Sequence, residues 1–317
     1  MPYTVLLPED MSAVGKDYLS ERDYALCFCE CNDLAILEAV RNCEAIITRN
    51  SRITGEIMRA APKLRVVARH GVGVDTIDLE TAKELGIWVT NGPESNINAV
   101  AEQVIGAIIS LARQLTECDR MVRLGQYGRR TSIAGTELSG KVLGVVGFGK
   151  IGKLVAQKAS LGLGMRIIVY DPFASQEFHN FPVAFHCALD DVLAAADVVT
   201  LHMPLLPTTE RRISAEQFGQ MKNSALFINY ARAGLVNTDA LVKALQDGVI
   251  AGAAIDVFDT EPVPQFHQLC SLTQVLLSPH TASFTRESLD NMALHAAITI
   301  DEVLTSKIPR WFVVQGR

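Results

Sequence analysis

The stretch VLGVVGFGKIGKLVAQKA, residues 142–159, decides how this chain is read. A strand-like apolar run enters Gly147-x-Gly149-x-x-Gly152, and a helical pattern follows at once. Alone, that glycine spacing is a weak signal; a strand before it and a helix after it are the context it requires. The first glycine permits a tight turn, the second lets the backbone approach a pyrophosphate, and the third allows close helix–sheet packing. The helix N-terminus then presents unpaired N–H groups to the phosphates. Gly147, Phe148, Gly149, Lys150, Ile151 and Gly152 are the expected phosphate loop.

The following strand pattern, RIIVYD, ends at Asp171, 19 residues beyond Gly152. A carboxylate there accepts hydrogen bonds from ribose hydroxyls and repels a 2′-phosphate. From Pro172 to His186 no Lys or Arg stands ready to receive such a phosphate. The expected cofactor is therefore NAD, not NADP.

Further strand patterns surround this one: KVLGVVG, VAF, DVVTLHM, ALFINY, AGAAIDVF and QVLLSP, with helical LDDVLAAA and TDALVKALQDG between them. Thr238 is the expected N-cap of the latter and Gly248 its stop. The first 90 residues alternate in the same way: TVLLPE, a helix near Val14 to Arg22, YALCFCE, a helix near Leu34 to Asn42, EAIITR, LRVVAR and IWVTN. Such alternation predicts a parallel sheet. A long helix from Asn98 to about Leu115 ends one unit and leads to the next. After His280 another, near Thr285 to Leu304, leads to the tail IPRWFVV. The predicted class is α/β: two Rossmann-like or flavodoxin-like domains with doubly wound parallel sheets and a cleft between them. No internal repeat or low-complexity linker separates them.

Length and composition agree with this class. The 317 residues suffice for two domains, and a 49% hydrophobic content suits strands buried on both faces. The best apolar run, Val104 to Ala112, is broken by Gly106 and Ser110, far short of the roughly 18 residues a membrane helix needs. The start, MPYTVLLPED, lacks a basic leader, so no secretory signal is expected and the protein is assigned to the cytoplasm. A net charge of −6 argues against nucleic-acid binding. Of seven cysteines, most fall at core-like positions. In LCFCEC, strand alternation puts Cys27, Cys29 and Cys31 on one side. No second ligand cluster follows at metal-binding spacing, so they are expected to be buried or half-buried free thiols, with no metal.

FINYARAGLV, residues 227–236, sets Arg232 among small residues just past a strand pattern. Glu261 in DTEPVP and His280 after QVLLSP stand in the same relation to theirs. Open parallel sheets bind ligands at the carboxyl ends of their strands, so the three are expected to converge. Together they suit reduction of a 2-keto acid. His280 gives and retakes the proton, Glu261 orients the ring, and Arg232 holds the substrate carboxylate as a bidentate, always-charged partner. In RHGVGVD, residues 69–75, consecutive N–H groups offer a second carboxylate contact.

Taken in order, RHGVGVDTID, NAVAEQVIGAIISLAR, GKVLGVVGFGKIG, VYDP, VTLHMPLLPTT, FINYARAGLVNTDAL, AGAAIDVFDTEP and LLSPHTA resemble the D-isomer-specific 2-hydroxyacid dehydrogenase family over nearly the whole chain. The resemblance implies a discontinuous substrate-binding domain, residues 1–98 and 284–317, around an NAD-binding domain, residues 99–283. It implies the same roles for Arg232, Glu261 and His280. It adds His202, Pro204, Thr209, Asn229, Ala231 and Ala282 to an NAD site that also takes Pro172, Arg232 and His280, with Asp256 toward the carboxamide. Val72 and Gly73 would donate to the substrate, and a homodimer would form through residues near 100–140. Ala233, Gln103 and His70 depart from the family pattern, and of these His70 bears on substrate choice.

Within the family, ITRNSRIT and VVARHGVGVD look most like the phosphoglycerate dehydrogenase branch, which implies that Arg49 and Arg69 receive a substrate phosphate. Hydroxypyruvate or glyoxylate reductase and D-lactate dehydrogenase are the alternative activities, and an NAD-sensing corepressor-like protein is the non-enzymatic one. Glu261 disfavours formate dehydrogenase, which resembles the family with glutamine there. No regulatory domain follows residue 317, so serine feedback is not expected.

Overall fold

A computed structural model describes residues 2–174, 180–185 and 188–317. In chain order the elements are β1 (Thr4–Leu7), α1 (Ala13–Ser20), β2 (Ala25–Phe28), α2 (Asp33–Ala39), β3 (Ala45–Thr48), α3 (Gly55–Arg59), β4 (Val66–Arg69), α4 (Leu79–Leu85), β5 (Trp88–Thr90), α5 (Ile97–Arg113) and α6 (Leu115–Arg123). There follow β6 (Val142–Val146), α7 (Lys150–Leu163), β7 (Arg166–Tyr170), β8 (Val183–Phe185), α8 (Leu189–Ala195), β9 (Val198–Leu201), α9 (Ala215–Gln220), β10 (Leu226–Asn229), α10 (Thr238–Gln246), β11 (Gly252–Ile255), β12 (Val275–Leu277), α11 (Arg286–Leu304) and β13 (Phe312–Val314). Two compact units result: the chain up to Ile97 with Ser283–Arg317, and Asn98–Ala282.

The first unit carries a six-stranded sheet in the order β13-β5-β4-β3-β1-β2. Period-2 alternation sends Val5, Leu7, Ala45 and Ile47 to a layer with Ala293, Ala296 and Ile300 of α11. Leu6, Ile46 and Val67 go to the other, against Ile36, Ile57 and Ala82. The strand order reverses between β1 and β3, the place where doubly wound sheets bind ligands. The expected parallel sheet is present, with one antiparallel edge. The tail forms β13, which pairs antiparallel with β5 and closes that edge.

The second unit is an all-parallel seven-stranded sheet, β12-β11-β10-β9-β6-β7-β8, with its reversal between β6 and β9. Leu143, Val145, Ile228 and Ala254 face α5 and α7. Val146, Val199, Phe227 and Ile255 face α8, α9 and α10.

Three local expectations are revised. The N-cap of α10 is Asn237, whose side chain accepts from Ala240 N; Thr238 is the first helical residue and donates to Asp259. The helix expected to reach Leu115 ends at Arg113, because Gln114 adopts φ 50 and a new helix, α6, begins after it. Among the six described cysteines only Cys43 is buried; Cys27, Cys29 and Cys118 are half-buried, and Cys31 and Cys270 exposed. β2 ends at Phe28, so alternation no longer governs Cys31, which instead meets Ser51 Oγ at 3.0 Å. Cys187 lies outside the described residues. No described group of three His, Cys, Asp or Glu is placed to hold a metal ion, and no described helix is long and apolar enough to cross a membrane.

Candidate active site

The three glycines after β6 stand in three different surroundings. Gly147 has φ 95, and a Cβ on it would lie 2.6 Å from the backbone of His202 and Met203. Any side chain there would force β6 and β9 apart at the sheet's reversal. A Cβ on Gly152 would lie 2.2 Å from Gly147 O, so α7 packs directly on the turn. Around Gly149, by contrast, a Cβ would meet nothing within 4 Å. Gly149 is also the N-cap of α7 and gives it no side-chain cap. Open space at an uncapped helix N-terminus fits the diphosphate of a dinucleotide.

The remaining loop residues divide between structure and site. The Phe148 side chain is 2% exposed and stacks edge-on against Phe185, so it belongs to the core. Its N–H donates to Asp171 Oδ2 at 2.7 Å, while Asp171 Oδ1 accepts from Phe173 N at 2.8 Å. Each carboxylate oxygen has a further lone pair, enough for ribose hydroxyls. Lys150 and Pro172 are exposed and Ile151 half-buried. Thr209 Oγ1 donates to Pro204 O at 2.7 Å and accepts from Leu206 N, which folds the loop after β9. His202 Nε2 meets Thr200 Oγ1 at 3.0 Å, and burial pushes its imidazole down to about 4.

The catalytic candidates follow β10, β11 and β12. The register Asn229↔Ile255↔Leu277 aligns the ends of these three neighbouring strands. Adjacent strands lie about 4.8 Å apart, so residues past β10 and β12 begin about 10 Å apart, within reach of long side chains. Asn229 is buried and shapes the first turn. Its Nδ2 donates to Arg232 O at 2.9 Å and its Oδ1 accepts from Ala231 N at 3.2 Å. The Arg232 guanidinium donates to Ala231 O at 2.7 Å.

His280 and Glu261 meet: Nδ1 is 2.8 Å from Oε2. Glu261 Oε1 accepts from Phe258 N at 3.0 Å, so the carboxylate is itself anchored. His280 has φ 52, a left-handed conformation that costs a non-glycine residue about 1–3 kcal/mol. The holding force comes from Asp256, which is fully buried. Its Oδ1 accepts from Ser278 Oγ at 2.5 Å and Thr281 N at 2.9 Å, and its Oδ2 from Ala282 N at 2.9 Å. His280 N donates to Asp256 O at 2.8 Å. Hydrogen bonds contribute about 0.5–1.5 kcal/mol each, so the four together offset the strain. The sequence pointed Asp256 toward a cofactor carboxamide; in the structure it first clamps the loop that presents His280. Ser278 was missed as its partner. The available signal was a carboxylate ending a fully apolar strand, which must find donors nearby.

In the first unit, the Val72 carbonyl accepts from Asn91 Nδ2 at 2.8 Å. Since the peptide is planar and trans, this aims Gly73 N–H the opposite way. Arg69 braces its own loop, donating to Gly73 O at 2.6 Å. Arg49 lies over the Phe284 ring, 5.4 Å from its centroid. Glu9 ties down the Arg49 turn by accepting from the N–H groups of Arg49, Asn50 and Ser51. Burial works to raise the Glu9 carboxyl, but these backbone donors outweigh it and hold the group below its usual range.

The family model for the D-isomer specific 2-hydroxyacid dehydrogenase NAD binding domain matches residues 105–282. The chain is 35% identical over 306 residues to D-3-phosphoglycerate dehydrogenase 2, chloroplastic, of Arabidopsis thaliana, covering 96% of this chain and 49% of that one. It is 39% identical over 281 residues to glyoxylate reductase of Aeropyrum pernix, covering 86% and 84%. The solved D-lactate dehydrogenase of Aquifex aeolicus, complexed with NAD and lactic acid, superposes with a TM-score of 0.89 at 26% identity, covering 99% and 100%. The chain thus spans about half the length of the plant relative. With the model spanning more than half of its residues, this chain belongs to the D-isomer specific 2-hydroxyacid dehydrogenases, and residues 105–282 form its NAD-binding domain.

Proposed function

We propose that the chain interconverts a D-2-hydroxy acid and its 2-keto acid with NAD, acting on an acid of the phosphoglycerate type. The observation that carries this reading is the His280–Glu261 contact of 2.8 Å, held past β11 and β12, the two strands that follow in sheet order from β10, which leads to Arg232. An imidazole oriented by a carboxylate suits proton transfer to and from a hydroxyl. Arg232 holds the substrate carboxylate, with Val72 and Gly73 N–H as further donors, and Arg49 and Arg69 favour an anionic substituent. Asp171, with no Lys or Arg in the following fifteen residues of sequence, favours NAD over NADP.

The loop of Gly147, Gly149 and Gly152 would hold the diphosphate of NAD, which when bound would supply and take back the hydride. The chain's own residues bind the acid, orient it and move its proton at His280 Nε2. A homodimer through the region near residues 100–140 agrees with exposed Val122, Leu124 and Tyr127. A cytoplasmic setting is part of the same proposal.

A second reading, glyoxylate or hydroxypyruvate reductase, is favoured by the 39% identity to the Aeropyrum enzyme over 281 residues. NADH oxidation followed with phosphohydroxypyruvate, hydroxypyruvate, glyoxylate and pyruvate separates the two. The highest kcat/KM is expected with phosphohydroxypyruvate. Negligible turnover of all four, with NADH still bound, would overturn the enzymatic reading in favour of an NAD-sensing protein.

A further inference from the structure

Strands β3 and β4 of the first unit pair in register Thr48↔Arg69. The next residues, Arg49 and His70, therefore leave the carboxyl edge of the sheet side by side. His70 N donates to Thr48 O at 2.9 Å, which keeps its backbone on the sheet line. Its side chain is 3% exposed, yet neither Nδ1 nor Nε2 has a hydrogen-bond partner among the described residues. Arg49 Nε is likewise buried and unpartnered. Buried polar atoms are nearly always satisfied, and each exception calls for a cause.

The position of these two supplies one. They lie past adjacent parallel strands, and β3 borders the reversal between β1 and β3, where this topology takes its ligand. Burial, then the Arg49 guanidinium, pushes the His70 imidazole down to about 4. Near neutral pH the ring is uncharged and offers one N–H donor and one acceptor nitrogen. Arg49 adds a fixed positive charge.

In the reaction proposed above, the carboxylate on carbon 1 and the oxygen on carbon 2 are already assigned. The remaining polar group of a short acid is whatever carbon 3 carries. We propose that His70 is a specificity-determining residue whose imidazole, with Arg49, reads an oxygen substituent on carbon 3, hydroxyl or phosphate ester, and disfavours acids ending there in hydrogen or methyl. The inference rests on the 2-keto acid reaction. A site built to hydrogen-bond a substrate oxygen rejects the analogue lacking it, because the buried groups are then left unpaired.

The test compares wild type with His70→Ala and His70→Gln, which restores a neutral donor. In His70→Ala, kcat/KM for hydroxypyruvate and phosphohydroxypyruvate is expected to fall at least about tenfold more than for pyruvate, with partial recovery in His70→Gln. A larger fall for phosphohydroxypyruvate identifies the phosphate as the group read; an equal fall for both identifies the bridging or hydroxyl oxygen. Equal losses for all three acids, or none, overturn the proposal and leave His70 a structural residue. Calorimetric titration of the same proteins with D-3-phosphoglycerate, D-glycerate and D-lactate reads the same discrimination without turnover. A wild type that binds these acids with the expected preference but neither oxidises any of them with NAD nor reduces the matching keto acids overturns the reaction while sustaining the role of His70. One that binds D-lactate as well as D-glycerate overturns the role of His70 alone.

Discussion

His280 Nδ1 and Glu261 Oε2 lie 2.8 Å apart, although 19 residues separate them in sequence. A carboxylate only accepts, so the contact fixes the hydrogen on Nδ1 and leaves Nε2 for the proton transfer proposed above. Glu261→Gln preserves shape but offers an amide that can turn its donor to the ring. It is expected to lower kcat by about 10²-fold, and His280→Ala by about 10²- to 10⁴-fold. NADH binding, followed by fluorescence, should change little in either. Equal losses of NADH affinity would show that the pair holds the cofactor instead of moving a proton.

Arg232 leaves β10 through a turn tied by Asn229, and the carboxylate contact proposed for it requires a planar, bidentate cation. Arg232→Lys keeps the charge and loses the fork. Steady-state kinetics are expected to give a KM for the keto acid raised about tenfold in Arg232→Lys and more in Arg232→Ala. Unchanged KM in Arg232→Ala would remove the carboxylate contact from the mechanism.

The glycine loop separates stability from binding. Gly147→Ala and Gly152→Ala place a Cβ against backbone, at 2.6 and 2.2 Å, and are expected to destabilise by about 1–3 kcal/mol, seen as a lower Tm. Gly149→Ala meets no protein atom, so its Tm should match wild type while its Kd for NADH rises. An unchanged Kd in Gly149→Ala would show that the diphosphate sits elsewhere.

Acid should weaken the fold. Burial pushes His70 and His202 down to about 4 from an ordinary 6.5, so between those values the unfolded chain binds protons that the folded chain refuses. Stability therefore rises with pH across that window and is lost as pH falls through it, each histidine contributing up to a few kcal/mol by pH 4. Glu9, held below its usual 4.5, adds loss in the same direction at lower pH. Melting curves from pH 7 to 4 should show the fall, and His70→Ala should flatten it. A Tm in His70→Ala that tracks wild type across the window would contradict this origin.

What sequence determined here is whatever depends on near neighbours in the chain. Apolar runs of four or five residues, broken by turn residues, mark the strands. Gly147, Gly149 and Gly152 mark the phosphate loop, because strand, turn and helix are contiguous there. Arg232, Glu261 and His280 were legible as residues just past strands. Short α3 and α9 were not, since helices of five and six residues carry too few periods to read. The antiparallel pairing of β13 with β5 was also hidden, because strand order is set by which apolar faces the whole sheet must cover.

Only tertiary structure decided which groups meet. That Asp256 clamps Ser278, Thr281 and Ala282, and so holds His280 at φ 52, depends on residues from two strands arriving at one edge. The unpartnered state of the His70 ring likewise follows from the register of β3 on β4 and from burial. Local propensity states where a side chain leaves the backbone; packing alone states what it finds there.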